Sequence, residues 1–345
     1  MLNEQELVLR IHDFITNSSY EQLGIGDYQG YQVLKFFERP YSILTLVKLI
    51  GAKGTQNVYI KVYKNFYKLS QKEFEEGIQS DFETNVFWYK QLSTFKGFTT
   101  FKPLYFSIPY KMIITEECPG VNLHGLIEKN AKIYSIPFTL KKLTQYMYQA
   151  GKLLKVFQEF YKEEEYYELP LLIEDVDIRL QKLVANPYAN FTETDRKKIL
   201  DFYNRHLEKA SKIPIPMKYI HSDFAPSNIL VNKENMILHD FHKVKTGPYL
   251  WDLTRFYHQL ELFKYKPFLY SPKFISKLQS AFLEGYGFKE NTLHIHFHFF
   301  LLRNYFTHYV GIARLDGLPF KSFWYNKWVM FEHRRNINKI IEDSS

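Results

Sequence analysis

The chain has 345 residues, 46% hydrophobic and 24% charged, with only 15 Gly and 14 Pro, which excludes disordered, collagen-like and low-complexity classes. That length exceeds what one compact core usually organises, so two lobes are expected, and 62 Phe, Tyr and Trp residues supply bulky core material. The +8 charge favours an anionic ligand but is spread along the chain rather than gathered into a tail, so nucleic acid is not expected.

Residues 2–15 space Leu2, Leu7, Ile11, Phe14 and Ile15 as a short amphipathic helix, ended by Asn17-Ser18-Ser19. Three antiparallel strands follow, Tyr31–Phe37, Ile43–Ile50 and Asn57–Tyr63, separated by turn material at Glu38–Ser42 and Gly51–Thr55. Residues 72–92 place Phe82, Val86, Tyr89 and Leu92 on one helical face that would pack on the sheet. Extended stretches around Pro103–Phe106 and Met112–Glu116 complete a small lobe that ends near Cys118-Pro119-Gly120.

Beyond this the pattern is mainly helical. Thr139 reads as the cap of a long helix burying Leu140, Leu143, Met147, Leu154 and Phe157, and residues 161–169 read as a solvated connection. A helix over Asp195–Lys209 precedes strand-like pieces at Tyr219-Ile220, Ile229–Val231 and Ile237-Leu238, and the remainder alternates helices with turns. Cys118 is the one cysteine, which rules out an internal disulfide. The opening MLNEQELVLR lacks signal-peptide character, and no run of about 18 apolar residues is present. The expectation is therefore a cytoplasmic protein with no membrane insertion.

The segment YIHSDFAPSNILVNKENMILHDF carries the chemistry. Asp223, at the end of a strand, can accept a proton from a hydroxyl nucleophile. Asn228 and Asp240, the latter on the next strand, offer hard oxygen ligands that suit Mg²⁺ on phosphate oxygens. No Cys and His set of the kind zinc favours accompanies them.

The spacing H-x-D-x-x-x-x-N followed by an Asp resembles the catalytic loop of the aminoglycoside phosphotransferase and choline kinase-like superfamily. The resemblance implies an α+β, bilobal protein kinase-like fold: a small antiparallel N-lobe with one helix over residues 1–117, and a larger, mainly helical C-lobe over 118–345. It implies ATP and Mg²⁺ as cofactors, Asp223 as catalytic base, and Asn228 and Asp240 as metal ligands. His221 and Asp252, the latter in GPYLWDLTRF, would support the catalytic loop. Lys61 would pair the ATP phosphates with Glu83 as its helix partner, Asp81 and Glu75 being the alternatives under a shift of the helix, and the backbone at Glu116 to Cys118 would meet adenine.

Two departures bear on function. The turn between the first two strands, Glu38-Arg39-Pro40-Tyr41-Ser42, has no glycine, which weakens close backbone approach to phosphates and keeps a non-catalytic nucleotide-binding reading open. Ala225 stands where protein kinases carry Lys, and Asp240-Phe241-His242 where they carry D-F-G, so a small-molecule hydroxyl is expected ahead of a peptide. Sugar-like compounds, amino alcohols and antibiotics all remain open as acceptors, and no protein partner is expected.

Overall fold

The computed structural model describes residues 4–18, 20–266 and 269–343. In chain order the elements begin with helix α1 (Glu4–Asn17), strands β1 (Tyr28–Arg39), β2 (Ser42–Gly51) and β3 (Gly54–Tyr63), and helix α2 (Gln71–Leu92). Strands β4 (Phe98–Thr99), β5 (Pro103–Ser107), β6 (Met112–Glu116) and β7 (Val121–Asn122) follow. Next come α3 (Leu123–Asn130), α4 (Pro137–Glu159), β8 (Tyr166–Tyr167), α5 (Leu169–Val184), α6 (Glu193–Ser211) and β9 (Ile215–Ile220). The chain continues through β10 (Ile229–Val231), β11 (Met236–Leu238), β12 (Lys245–Pro248), α7 (Leu250–Glu261), α8 (Pro272–Tyr286), α9 (Glu290–Ile312) and α10 (Phe320–Asp343).

These elements form two compact units, Met1–Val121 with Leu230–His242, and Asn122–Ile229 with Lys243–Ser345. In the first, an antiparallel sheet runs in the order β1-β2-β3-β6-β5. Strand alternation sorts its side chains. Ile60 and Val62 join Leu7, Ile11 and Phe14 of α1 in one core, while Ile113 packs with Phe74 and Ile78 of α2 in another. Lys61 is paired in register with Ile113 and so shares the α2 face. Leu2 and Ser19, assigned to the first helix and its end, lie outside the described residues.

Ser70 caps α2 in a reciprocal box with Glu73. The buried stripe of this helix differs from the expected one: it runs through Phe74, Ile78, Trp88 and Leu92, with Phe82 partly buried and its ring 4.8 Å from Phe106. The segment 230–242 joins this unit through short-range ties. Strand β11 pairs in parallel with β4, Asn232 donates to the Pro119 carbonyl at 3.1 Å, and Phe241 stacks on Trp88 at 5.8 Å.

The second unit is helical around a small antiparallel sheet ordered β12-β9-β8. Helices α4 and α8 touch backbone to backbone: a Cβ on Gly285 would lie 1.9 Å from the Tyr148 carbonyl oxygen, and one on Gly151 2.1 Å from that of Phe282. Only glycine allows that approach. Helix α4 starts at Pro137 with Ile136 as its cap, so Thr139 is inside the helix rather than capping it; proline at the first turn sets the start earlier. Tyr166–Tyr167 of the expected solvated connection pairs with β9. Among the described residues no helix is long and apolar enough to cross a membrane.

Candidate active site

In the first unit, the Lys61 ammonium donates to Asp81 Oδ2 at 3.0 Å, and the Tyr63 hydroxyl donates to the same oxygen. Lys61 is about a third exposed and Asp81 nearly buried, 32% and 11% at the side chain. The Asp81 Oδ1 accepts from the Asn85 amide at 3.0 Å. The expected partner Glu83 is therefore corrected: its carboxylate accepts from Gln79 at 2.8 Å on the exposed side of α2. Two residues turn an α-helix by about 200°, so Glu83 cannot share the face on which Asp81, three residues after Ile78, meets the sheet.

Asp240 follows β11 with a left-handed backbone, φ +74°. Its Oδ1 bonds His242 Nδ1 at 2.6 Å. Burial works to raise the pKa of this carboxyl, but the His242 hydrogen bond and charge, with the charge of Lys61, outweigh it and hold the acid well below its usual range. It is therefore ionised at neutral pH, with Oδ2 left for another partner.

At the expected adenine-binding stretch, the Glu116 amide donates to the Lys102 carbonyl at 2.9 Å and the Glu117 amide to the Asn57 carbonyl at 3.0 Å. The Glu116 side chain pairs with Lys102 at 3.3 Å. Burial first, then the charges of Glu116 and Glu117, raise the Cys118 thiol, which opposes the thiolate form a nucleophile needs.

In the second unit, His221, Asp223, Asn228 and Asp252 are brought together. Asp252 is fully buried on the first turn of α7 and accepts the His221 amide at 2.5 Å and the Ser222 amide at 3.0 Å. Ser222 has φ +63°, so this carboxylate holds a non-glycine residue in the left-handed region immediately before Asp223. Burial raises Asp252 to about 7, against the amide of His221 and the charge of Arg255. The His221 ring is enclosed by Phe157 and Phe224.

The Asn228 amide nitrogen donates to the Asp223 carbonyl at 2.9 Å, closing the loop. The Asp223 carboxylate accepts Arg255 at Oδ1, and Lys243 Nζ lies 3.7 Å from Oδ2. Sequence reasoning missed Arg255 as a partner of Asp223. The signal was present: Arg255 lies three residues after Asp252, a spacing that puts both on one face of a helix.

Each unit offers a hard oxygen donor of its own. The nitrogen of Asn228 is committed to a carbonyl, which leaves its amide oxygen, and Asp240 retains one oxygen of an ionised carboxylate. Oxygen ligands of this kind suit Mg²⁺.

No protein-family model matches the sequence, and neither does any curated protein. Solved structures do match. An ethanolamine kinase of Plasmodium vivax aligns with TM-score 0.58 at 12% identity, covering 98% of this chain and 91% of that one. The amicoumacin kinase hAmiN, solved with AMP-PNP, Ca²⁺ and Ami, aligns with TM-score 0.56 at 14% identity, covering 97% and 94%. The choline kinase LicA of Streptococcus pneumoniae aligns with TM-score 0.52 at 12% identity, covering 98% and 100%. The fold is protein kinase-like. The three kinases named above share it, in keeping with the fold that the motif resemblance implied.

Proposed function

We propose that the chain is a small-molecule kinase that transfers the γ-phosphoryl group of ATP to a hydroxyl of a sugar-like compound, an amino alcohol or an antibiotic. The observation that carries this reading is the loop around Asp223: the acid is flanked by Arg255 and Lys243, its carbonyl is tied by Asn228, and the two preceding amides rest on buried Asp252. Such positioning is what phosphoryl transfer asks of a protein, since alignment and charge stabilisation supply most of the catalysis.

In this reading Asp223 orients the acceptor hydroxyl and takes its proton. The hydroxyl oxygen bonds to the γ-phosphorus, the bond to the β–γ bridging oxygen breaks, and ADP leaves. Lys61, steadied by Asp81, pairs with phosphate oxygens, while the Glu116 carbonyl and the Cys118 amide meet adenine. Asn228 and Asp240 hold Mg²⁺, which when bound neutralises phosphate charge. Along the sequence, residues 1–117 take the nucleotide-binding role and 118–345 the catalytic loop, metal site and acceptor helices, with 230–242 packing in the first unit, and a cytoplasmic setting would supply ATP.

The test is incubation with Mg²⁺ and ATP against a panel of sugars, aminoglycosides and amino alcohols, reading ADP and a product heavier by one phosphoryl group. One acceptor with such a product supports the reading. A second reading, nucleotide binding without turnover, rests on the glycine-free link of β1 to β2, where Arg39 pairs directly with Ser42. Mg²⁺-dependent thermal stabilisation by ATP with no product across the panel selects that reading. Neither stabilisation nor product rejects both, and label appearing on Ser, Thr or Tyr of the chain itself would favour a protein kinase.

A further inference from the structure

Three histidines from three helices meet in the core of the second unit: His258 on α7, His308 on α9 and His333 on α10. His258 and His333 are 2% and 0% exposed, and His308 is half-buried. One ring nitrogen of each lies within 4.8 Å of the other two.

The ring spacing matches that of a metal-bound trio. Zinc sits about 2.05 Å from an imidazole nitrogen, hence about 3.2 Å from the ring centre, so three rings at tetrahedral angles stand about 5.2 Å apart. The observed centroid separations are 5.4 Å for His258 to His308, 5.2 Å for His258 to His333 and 5.0 Å for His308 to His333.

Two further observations point to a ligand. Among the described residues, Nε2 of His258 is buried with no hydrogen-bond partner, a state that buried polar atoms rarely occupy. His333 has an outer partner already in place: its Nδ1 is 3.2 Å from the Tyr265 hydroxyl, which accepts from the Asn336 amide at 3.0 Å. A metal-bound histidine commonly donates its other N–H to such a group.

His333 Nε2 and His308 Nδ1 face each other at 2.7 Å. A tetrahedral metal would part them to about 3.3 Å, replacing one hydrogen bond with two coordinate bonds. Burial keeps all three rings neutral at physiological pH, the form in which imidazole ligates. The positive charge of Arg255, which also pairs with Asp223, acts in the same direction on His258 and His308.

We propose that His258, His308 and His333 form a binding site for a borderline divalent cation, Zn²⁺ foremost, which ties α7 to α9 and α10. A nitrogen-only set of this kind disfavours Mg²⁺ and Ca²⁺. Helix α7 also carries Asp252 and Arg255, so an ion here stiffens the helix that holds the Asp223 loop. The site is independent of the proposed phosphotransfer and stands or falls without it.

The experiment uses tag-free, full-length protein stripped with chelator and titrated with Zn²⁺ and, separately, Co²⁺. One equivalent of Zn²⁺ should bind and raise the melting temperature, and Co²⁺ should give the intense visible bands of a four-coordinate site. Tyr265→Phe should weaken Zn²⁺ about tenfold to a hundredfold. His258→Gln should abolish the Co²⁺ bands, and should it fail to fold, the half-buried His308→Asn serves in its place. His294 and His298, whose rings lie 3.9 Å apart on α9, form the competing pair. His294→Ala should leave binding intact. Absence of stoichiometric Zn²⁺, or binding lost in His294→Ala and kept in His258→Gln or His308→Asn, overturns the proposal.

Discussion

Replacing Asp252 with Asn isolates how the loop leading into Asp223 is held. In the native chain one buried carboxylate accepts two amides, from His221 at 2.5 Å and Ser222 at 3.0 Å. Asparagine offers one oxygen, so one of those N–H groups meets an NH₂ donor instead. Losing a hydrogen bond to a charged acceptor costs about 1.5–3 kcal/mol, roughly a ten- to hundredfold change in an equilibrium or a rate. Amide exchange on the peptide spanning 221–222, read by mass spectrometry, should accelerate by about that factor.

The same residue sets a pH signature. Burial raises Asp252 to about 7, above its unfolded value, so the folded state holds an extra proton between the two. Its stabilising contribution is complete below about pH 4, declines as pH rises and is gone above about 7. Between about pH 5.5 and 7 the decline amounts to about 2 kcal/mol. Asp252→Asn should flatten that part of the stability curve. Loop protection should move the opposite way in the native chain, because the protonated acid has one acceptor fewer and the amides of 221–222 exchange faster as pH falls, once intrinsic rates are allowed for. Equal loop exchange in native and variant chains, or an unchanged stability slope, would refute the reasoning.

Two further substitutions test neighbouring contacts. Asp81→Asn should lower stability by about 1–3 kcal/mol and weaken ATP-induced thermal stabilisation, since it removes the negative charge that Lys61 and Tyr63 share and leaves one acceptor oxygen where Asp81 uses two; Glu83→Gln, on the exposed face, should stay within about 0.5 kcal/mol, and the reverse ranking would restore Glu83 as partner. Arg255→Lys should reduce turnover about ten- to hundredfold with little change in KM for ATP, as a point charge replaces the guanidinium beside Asp223; unaltered turnover would leave Arg255 with no positioning role.

Much of the fold was legible because its signals are local. The run of β-branched and aromatic residues over Asn57–Tyr63 announced β3, and the short apolar pieces Ile229–Val231 and Ile237-Leu238 announced β10 and β11. Helix α2 was located but misphased: its aromatic and charged residues crowd several faces, so the stripe with Phe74 and Ile78 that selects Asp81 emerges only when the helix packs. Thr139 lost to Pro137 because a proline fixes the first turn irrespective of a nearby capping side chain. Within the site, the loop from His221 to Asn228 was legible as a spacing. The partnership of Asp223 with Arg255 was only half legible: the spacing of Asp252 and Arg255 puts both on one face of α7, while the rotation of that face toward the loop is set by packing. The histidine trio left no trace in the sequence, its members coming from three separate helices.

The most direct test of the central claim is Asp223→Asn, with Mg²⁺·ATP affinity measured by calorimetry beside turnover of an acceptor found in the panel. A general base contributes about 10²- to 10⁴-fold, so turnover should fall by that order while Kd for Mg²⁺·ATP stays within about threefold. Near-native turnover in the variant would contradict the assignment of Asp223 as the residue that activates the acceptor.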